Sequence, residues 1–337
     1  MQWRKVHLIT QCVAGKSREP KQHMKIANHS KASIDELFKN WKANLIRESK
    51  GSGNQCAQIV YSSQYWTIFW ELAKLISGEV GPGKRWVVSA GYGLIQTSQE
   101  IAPYHATFSQ RQDDSIKVNN SSSGNDDGKR WWSLLSNDRV LKNRFGQGML
   151  RMNTRSLRSL IEITPPFELL VFILSPAYMK VLEEDLGETP DLWTYENVLI
   201  FSSVKLNKKD PRLPRTIQIS ARDAEALRRR EKYQVNNTTL PLKFIDYMVT
   251  SLGIRNLTVE TIRDQQKKLR GRISVKKYDH RQPQSDDQVL KFIRKEVKLN
   301  DYKGYSPLLR MLRDSGFQCE MSRFSRLYSQ VKNGINK

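Results

Sequence analysis

Short apolar runs alternate with longer amphipathic stretches over the first two thirds of the chain, and this alternation constrains the fold most strongly. The runs have the length of buried strands and cover residues 6–9, 86–90, 169–175 and 197–202. The helices predicted between them include residues 33–49, 61–76 and 176–186. Strands that alternate with helices form parallel sheets. The sequence therefore predicts an α/β domain over residues 1–235, with a mainly parallel sheet and flanking helices.

Beyond Pro241 the pattern is helical only. The predicted helices cover residues 242–252, 259–272, 286–298, 307–315 and 323–332. The last two are joined by residues 316–320, a spacing typical of a helix-turn-helix, although the same residues suit an ordinary helical hairpin. We expect residues 240–337 to form a separate, all-helical domain.

Positive charge is concentrated in that helical region. The chain has 56 Lys and Arg against 34 Asp and Glu, a net charge of +22, and residues 201–337 alone hold 31 and 14, a net charge of +17. Such a distribution is typical of a polyanion-binding protein, and solubility through high charge is the alternative. We expect DNA as the partner. The predicted contacts are Lys267, Lys268, Arg270, Arg272, Arg323 and Arg326.

Several classes of protein are disfavoured by what the sequence lacks. No apolar run reaches the roughly 20 residues of a membrane span, and the first residues lack the apolar core of a signal peptide. Three scattered cysteines form neither a disulfide framework nor a zinc motif. P-loop, dinucleotide-binding, zincin and GxSxG motifs are absent. We expect a cytoplasmic protein with no metal, no cofactor, no membrane contact and no obligate protein partner.

Polar residues follow the predicted strands, where open α/β sheets place their ligands. They are Cys12, Lys16, Ser89, Tyr92 and Ser175. Each also has a plain structural interpretation, since a cysteine is often a small buried residue and glycines beside Tyr92 suit a tight turn. The polar stretch at residues 109–130 is predicted to be a loop.

Four segments occur in a fixed order along the first domain. They are His7-Leu8-Ile9-Thr10-Gln11-Cys12 with Lys16, then Val60-Tyr61-Ser62, then Val87-Val88-Ser89-Ala90-Gly91-Tyr92-Gly93-Leu94-Ile95, then Ile101-Ala102-Pro103-Tyr104. The chain thereby resembles the YaaA-like family, in which a strand ends in a Cys/Ser…Lys loop and a Ser-Ala-x-Tyr-Gly-Leu turn precedes a Pro-Tyr motif. Similar segments occur in proteins of 7-deazaguanine metabolism. The resemblance covers residues 5–205 and leaves out the basic C-terminal region.

The resemblance implies a uracil-glycosylase-like α/β fold that binds DNA and accepts a nucleobase, as in antiphage DNA glycosylases. The base pocket would comprise Cys12, Lys16, Ser89, Tyr92, Tyr104 and Ser175. Relatives often carry an acid shortly before the proline, where this chain has Gln99 or Ser98, and Asp or Arg after Pro-Tyr, where it has His105. The candidate catalytic residues are therefore Glu100, His105, Asp113 and Asp114.

The expected activity is removal of a modified base from phage DNA after base flipping. Such a reaction needs a carboxylate or an aligned water near the sugar, and a proton donor for the departing base. Lys16 could attack the sugar as an imine-forming nucleophile, or it could bind phosphate or lie at the surface. A non-enzymatic DNA-binding stress protein and a transglycosylase acting on 7-deazaguanine-type bases are the alternatives.

Overall fold

The fold is that of a computed structural model that describes ten stretches of the chain. They are residues 3–30, 32–51, 53–110, 112–118, 124–145, 155–187, 195–230, 235–271, 282–299 and 304–335. The chain divides into two units, Met1–Ile273 and Ser274–Lys337.

Most of the strands belong to one sheet. The strands are β1 (Lys5–Gln11), β2 (Gln55–Cys56), β3 (Arg85–Ser89), β4 (Gly93–Gln96), β5 (Glu100–Ile101), β6 (Glu168–Ile173), β7 (Val198–Ser202), β8 (Thr216–Gln218), β9 (Gln282–Pro283) and β10 (Phe317–Gln318). Six of them form a sheet in the order β4–β3–β1–β6–β7–β8, parallel except for the β3–β4 hairpin. This confirms the predicted α/β class with a mainly parallel sheet.

The helices largely follow the predicted periodicity, although the one predicted over residues 61–76 covers Gln64–Val80 and the one predicted over residues 176–186 is divided at Leu182. They are α1 (Ile34–Glu48), α2 (Ala57–Val60), α3 (Gln64–Val80), α4 (Gly124–Asn137), α5 (Arg139–Phe145), α6 (Leu157–Ile163), α7 (Pro176–Val181), α8 (Glu183–Gly187), α9 (Ala221–Arg228), α10 (Leu240–Leu252), α11 (Val259–Arg270), α12 (Asp286–Leu299), α13 (Tyr305–Asp314) and α14 (Met321–Ile335). Ser33 caps α1 by accepting a hydrogen bond from the Glu36 backbone N–H. None of the described helices is long and apolar enough to cross a membrane.

The polar stretch predicted as a loop is in part helical. Helix α4 begins at Gly124, with Asp126 and Asp127 in its first turn, where carboxylates are favoured by the helix dipole. Trp131 and Trp132 therefore lie within this helix, and both are buried. Their burial against the first unit's core explains why the helix extends into a polar sequence.

The first unit extends further along the chain than the sequence pattern indicates. We expected a new domain from residue 240, yet α10 and α11 share the core of the sheet. Phe244, Ile245, Met248 and Ile262 are fully buried in that core. Because these two helices bury their apolar faces against the α/β body, the chain divides after Ile273.

The second unit has its own small core. Helices α12, α13 and α14 enclose buried side chains that include Val289, Leu308 and Phe324. Strands β9 and β10 pair in parallel beside them. The turn after α13 uses Gly316 at φ 86°, a backbone conformation that favours glycine. Whether α13 and α14 act as a helix-turn-helix stays a prediction.

Candidate functional site

The strand order reverses beside β1, and the candidate site lies there. The chain passes from β1 to β3 on one side and returns through β6 on the other. In open α/β sheets such a reversal leaves a crevice at the carboxyl ends of the two strands. The Ser175 backbone N–H, just after β6, donates to Oε1 of Gln11 at the end of β1 over 2.7 Å. The sequence-predicted residues after both strands are thus brought to one edge of the sheet.

A buried network of hydroxyl groups joins three of the motifs. The Tyr104 hydroxyl shares hydrogen bonds with Ser89 Oγ at 2.7 Å and with the Tyr61 hydroxyl at 2.9 Å. Ser89 Oγ also accepts from the Tyr92 backbone N–H at 2.9 Å. Because buried polar groups need partners, these contacts fix the relative positions of the motif residues.

Two indoles hold the turn between β3 and β4. Trp41 donates its N–H to the Gly91 carbonyl at 2.8 Å, and Trp131 donates to the Ala90 carbonyl at 2.7 Å. A Cβ on Gly91 would come within 2.5 Å of the Tyr104 ring. Glycine is therefore required at this position by the close approach of Tyr104.

Cys12 lies between this turn and helix α7. Its sulfur is 3.0 Å from the Tyr178 hydroxyl and 3.4 Å from the Ala90 backbone nitrogen, which donates to it. Burial raises the pKa of Tyr178 and of Tyr104 well above the ordinary value. Both phenols therefore stay protonated at neutral pH and remain available as hydrogen-bond donors.

Lys16 packs against the rings of Tyr61 and Tyr104. We call the group formed by Lys16 with Cys12, Tyr61, Ser89, Tyr92, Tyr104 and Tyr178 the Lys16 cluster. The Nζ of Lys16 lies 4.9 Å from the centre of the Tyr61 ring and 4.8 Å from that of Tyr104, within cation–π distance. Nζ also donates to the Val13 carbonyl. Burial lowers the pKa of Lys16 from 10.5 to about 8, which a nearby carboxylate, Asp114, only partly opposes.

The Lys16 loop is fixed by Gly15. A Cβ there would come within 2.0 Å of the Ser62 carbonyl oxygen. The Gly15 carbonyl in turn accepts a hydrogen bond from the Ser62 backbone N–H at 3.1 Å. Only a glycine allows the loop after β1 to approach this backbone, so Gly15 sets the place of Lys16 beside Tyr61.

His105 and Asp114 form a pair whose charges interact with that of Lys16. His105 Nδ1 is 3.5 Å from Asp114 Oδ2, and the two side chains are 28% and 26% exposed. Asp114 is held by the Ala27 backbone N–H, which donates to its Oδ1 at 3.1 Å. Partial burial lowers the pKa of His105, and the positive charge of Lys16 adds to that effect while Asp114 opposes it.

The other two predicted catalytic carboxylates are placed differently. Glu100 lies on β5, opposite Cys56 of β2, with an exposed side chain. Asp113 is also exposed. Of the four candidates, only His105 and Asp114 lie near enough to Lys16 for their charges to interact with it. Of the six predicted pocket residues, Cys12, Ser89, Tyr92 and Tyr104 contact one another or Lys16 and are buried in the core, whereas Lys16 and Ser175 are half-buried.

Most of the predicted DNA-binding cations are engaged in ion pairs. Arg270 Nη2 lies 2.8 Å from Oδ2 of Asp223, whose side chain is completely buried. Lys267 pairs with Asp264 at 2.9 Å on the surface of α11, and Lys268 is exposed.

On α14, two arginines share one acid. The Nε of Arg323 donates to Asp286 at 2.6 Å and Arg326 Nη2 to the same carboxylate at 3.1 Å, linking α14 to the start of α12. Arg272 lies outside the described residues.

Of the residues at the site, Tyr178 was missed by sequence reasoning, and Tyr61 was noted only as part of the Val60-Tyr61-Ser62 segment, without a site role. Tyr61 follows α2, and Tyr178 lies in the first turn of α7, after Ser175 and Pro176. The sequence does not mark either tyrosine clearly as a site residue, because an aromatic residue near the end of a strand or helix is more often part of the core. Tyr178 could have been found from its place just after the third predicted strand, where ligand-binding side chains gather.

No family model, curated protein or solved structure matches the chain. Within the described stretches, no cluster of three or more His, Cys, Asp or Glu side chains is arranged to hold a metal ion.

Proposed function

We propose that the protein is a DNA N-glycosylase that removes a modified base, with Lys16 as the nucleophile. One observation carries the proposal: a half-buried lysine at the strand-order reversal, packed against Tyr61 and Tyr104, with a histidine–carboxylate pair near enough to interact with its charge. With a pKa of about 8, about a tenth of the Lys16 side chains are neutral at pH 7, against about one in three thousand for an ordinary lysine. A neutral amine is the form that can attack carbon.

The reaction follows from these groups. The Lys16 nitrogen forms a bond to the sugar C1′ while the bond from C1′ to the base breaks, and its electron pair leaves with the base. The proton lost by the amine passes to the base through His105, which Asp114 orients. The sugar ring then opens: the bond from C1′ to O4′ breaks, O4′ takes a proton from solvent, and the lone pair of the Lys16 nitrogen forms the C=N bond of a protonated imine. Water hydrolyses this imine, restores Lys16 and leaves an abasic sugar.

The charges and pKa shifts around Lys16 suit both the proton transfer to the base and the formation of the imine. His105 has a lowered pKa and is neutral near pH 7, so it can accept a proton and release it again. Asp114 is partly exposed and held by the Ala27 N–H, so it can stabilise positive charge on His105 or on the imine. The exposed fractions of His105 and Asp114 leave them accessible to a flipped nucleotide.

Charge on the second unit supports DNA as the substrate. On α12, Lys291, Arg294 and Lys295 are exposed and lie three and four residues apart, on one side of the helix. They have no ion-pair partner in the part of the chain that the structure describes. Such a cationic face is suited to phosphate contacts, and α13 with α14 remains a helix-turn-helix candidate.

The decisive experiment is trapping of the imine. The protein is incubated with duplex DNAs that carry different base modifications, with and without borohydride, and released bases are identified by mass spectrometry. We expect a base to be released and borohydride to link the protein to the DNA. Lys16→Met should abolish the link, whereas Lys74→Met, which replaces an exposed lysine of α3, should leave it unchanged.

Other outcomes identify other functions. Base release without a covalent link would exclude Lys16 as nucleophile and favour attack by water, with Asp114→Asn then expected to lower the rate. Binding of DNA without release of any base would favour the DNA-binding stress protein. Incorporation of a free 7-deazaguanine-type base would indicate a transglycosylase.

A further inference from the structure

A second concavity lies at the same sheet edge as the Lys16 cluster. It has a volume of about 390 Å³ and is bounded by α7, the start of α8 and the segment that follows β7. Helix α7 connects the two places, because Tyr178 contacts Cys12 while its neighbours Met179 and Lys180 line the concavity. The concavity thus adjoins the Lys16 cluster, where the proposed reaction takes place.

A buried arginine shapes the concavity in advance. Arg212 is 5% exposed. Its Nε donates to Asp210 at 2.8 Å, its Nη1 to the Met179 carbonyl at 3.3 Å and its Nη2 to Glu183 at 3.2 Å. These bonds attach the segment after β7 to α7 and α8. They also neutralise Asp210 and Glu183, so that these acids oppose an incoming anion only weakly.

Two lysines that line the concavity can contact an anion. Lys180 and Lys205 are exposed, and neither has an ion-pair partner among the described residues. Lys129, in contrast, pairs with Glu183 at 3.2 Å. The remaining acid is Asp126, which is exposed on the first turn of α4.

The apolar part of the lining complements these charges. Met179, Val204 and Leu206 line the same concavity as the two lysines and Arg212. An apolar surface next to unpaired ammonium groups suits a nucleotide, whose base or sugar contacts the apolar side chains while the phosphate meets the cations.

We propose that this concavity binds the nucleotide that flanks the target in the DNA strand, with Lys180 and Lys205 contacting its phosphates. The inference rests on the proposed function and adds a second point of attachment to it. Holding the neighbouring phosphates would fix the strand while the target nucleotide turns toward Lys16.

The salt dependence of DNA binding tests this inference. Affinity for a fluorescently labelled duplex is measured by anisotropy over a range of salt concentrations. Each phosphate contact contributes about 0.9 to the slope of log affinity against log salt, so Lys180→Gln with Lys205→Gln should reduce the slope by about 1.8. Lys39→Gln with Lys74→Gln removes the same charge from exposed positions on α1 and α3 and should leave the slope unchanged.

Removing a negative charge from the same concavity should have the opposite effect on DNA affinity. Asp126→Asn removes the remaining carboxylate and should raise affinity severalfold at low salt. If the unaltered protein binds DNA and the Lys180 and Lys205 double variant keeps its slope, the second attachment point is wrong and the proposed function stands. If the unaltered protein binds no DNA, both proposals fall.

Discussion

Replacing Lys16 by methionine should make the first unit more stable at neutral pH. Burial lowers the pKa of Lys16 from 10.5 to about 8, so the folded state disfavours the ammonium. A difference of this size corresponds to about 3 kcal/mol at about 1.4 kcal/mol per pKa unit. Methionine has a similar length and no charge, so Lys16→Met removes this cost and keeps most of the packing against Tyr61 and Tyr104.

The stabilisation should depend on pH in a defined direction. Below about pH 8 the lysine is protonated in both the folded and the unfolded state, and the full cost is present. Between about pH 8 and 10.5 the folded state has lost the proton while the unfolded state still holds it, so the unaltered protein gains stability as pH rises. Of the roughly 3 kcal/mol advantage of Lys16→Met at pH 7, only about 1 kcal/mol should remain at pH 10.

Tryptophan fluorescence during urea unfolding measures this effect. All 8 tryptophans lie before residue 274, so the signal reports on the first unit alone. The free energy of unfolding of both proteins is compared from pH 7 to pH 10. A change in packing contributes the same amount to the difference in unfolding free energy at every pH, whereas the titration of Lys16 makes that difference vary with pH. Two curves that stay parallel over this range would refute a lowered pKa for Lys16, and with it the reason for choosing this amine as nucleophile.

Three further substitutions test the surroundings of the site. Tyr104→Phe removes the hydroxyl that joins Ser89 to Tyr61 and should lower the free energy of unfolding by about 1–3 kcal/mol; an unchanged Tm would contradict the network. Arg270→Met leaves the Asp223 carboxylate buried without its ion-pair partner. It should lower the free energy of unfolding, measured by thermal unfolding, by about 3 kcal/mol and leave the salt slope of DNA binding unchanged. A reduced slope would show that Arg270 contacts phosphate after all. Gly91→Ala forces a methyl group against Tyr104 and should cost about 1–3 kcal/mol, read as a lower Tm and slower base release, whereas a normal Tm would mean that Tyr104 can move away.

The sheet could be predicted from the sequence because its strands are buried on both faces. Residues 169–174 and 198–201 are continuous apolar runs, as parallel strands covered by helices require. Strand β8, with only Thr216–Gln218, has too few residues to produce such a run and was not predicted. The domain boundary was also missed, since α10 and α11 have the same amphipathic pattern whether they pack on a sheet or on each other.

The site was predictable in part for a similar reason. Cys12, Lys16 and Ser89 follow predicted strands, and the rule that parallel strands present their carboxyl ends at one edge brings them together. Asp114 meets His105 through the fold of an irregular segment, for which no periodicity exists in the sequence. Arg270 and Arg323 form ion pairs with acids that are distant in the sequence. The net charge of residues 201–337 therefore indicated a cationic region but not which of its cations are free to contact a ligand.

The two indoles that hold the turn between β3 and β4 give the site a built-in optical probe. Trp41 and Trp131 donate to consecutive carbonyls of the turn whose other groups contact Cys12 and Tyr104. A ligand that displaces this turn changes the hydrogen bonding of both indoles, and indole emission responds to such a change. Binding of a ligand at this turn can therefore be followed by the protein's own fluorescence, without an added label.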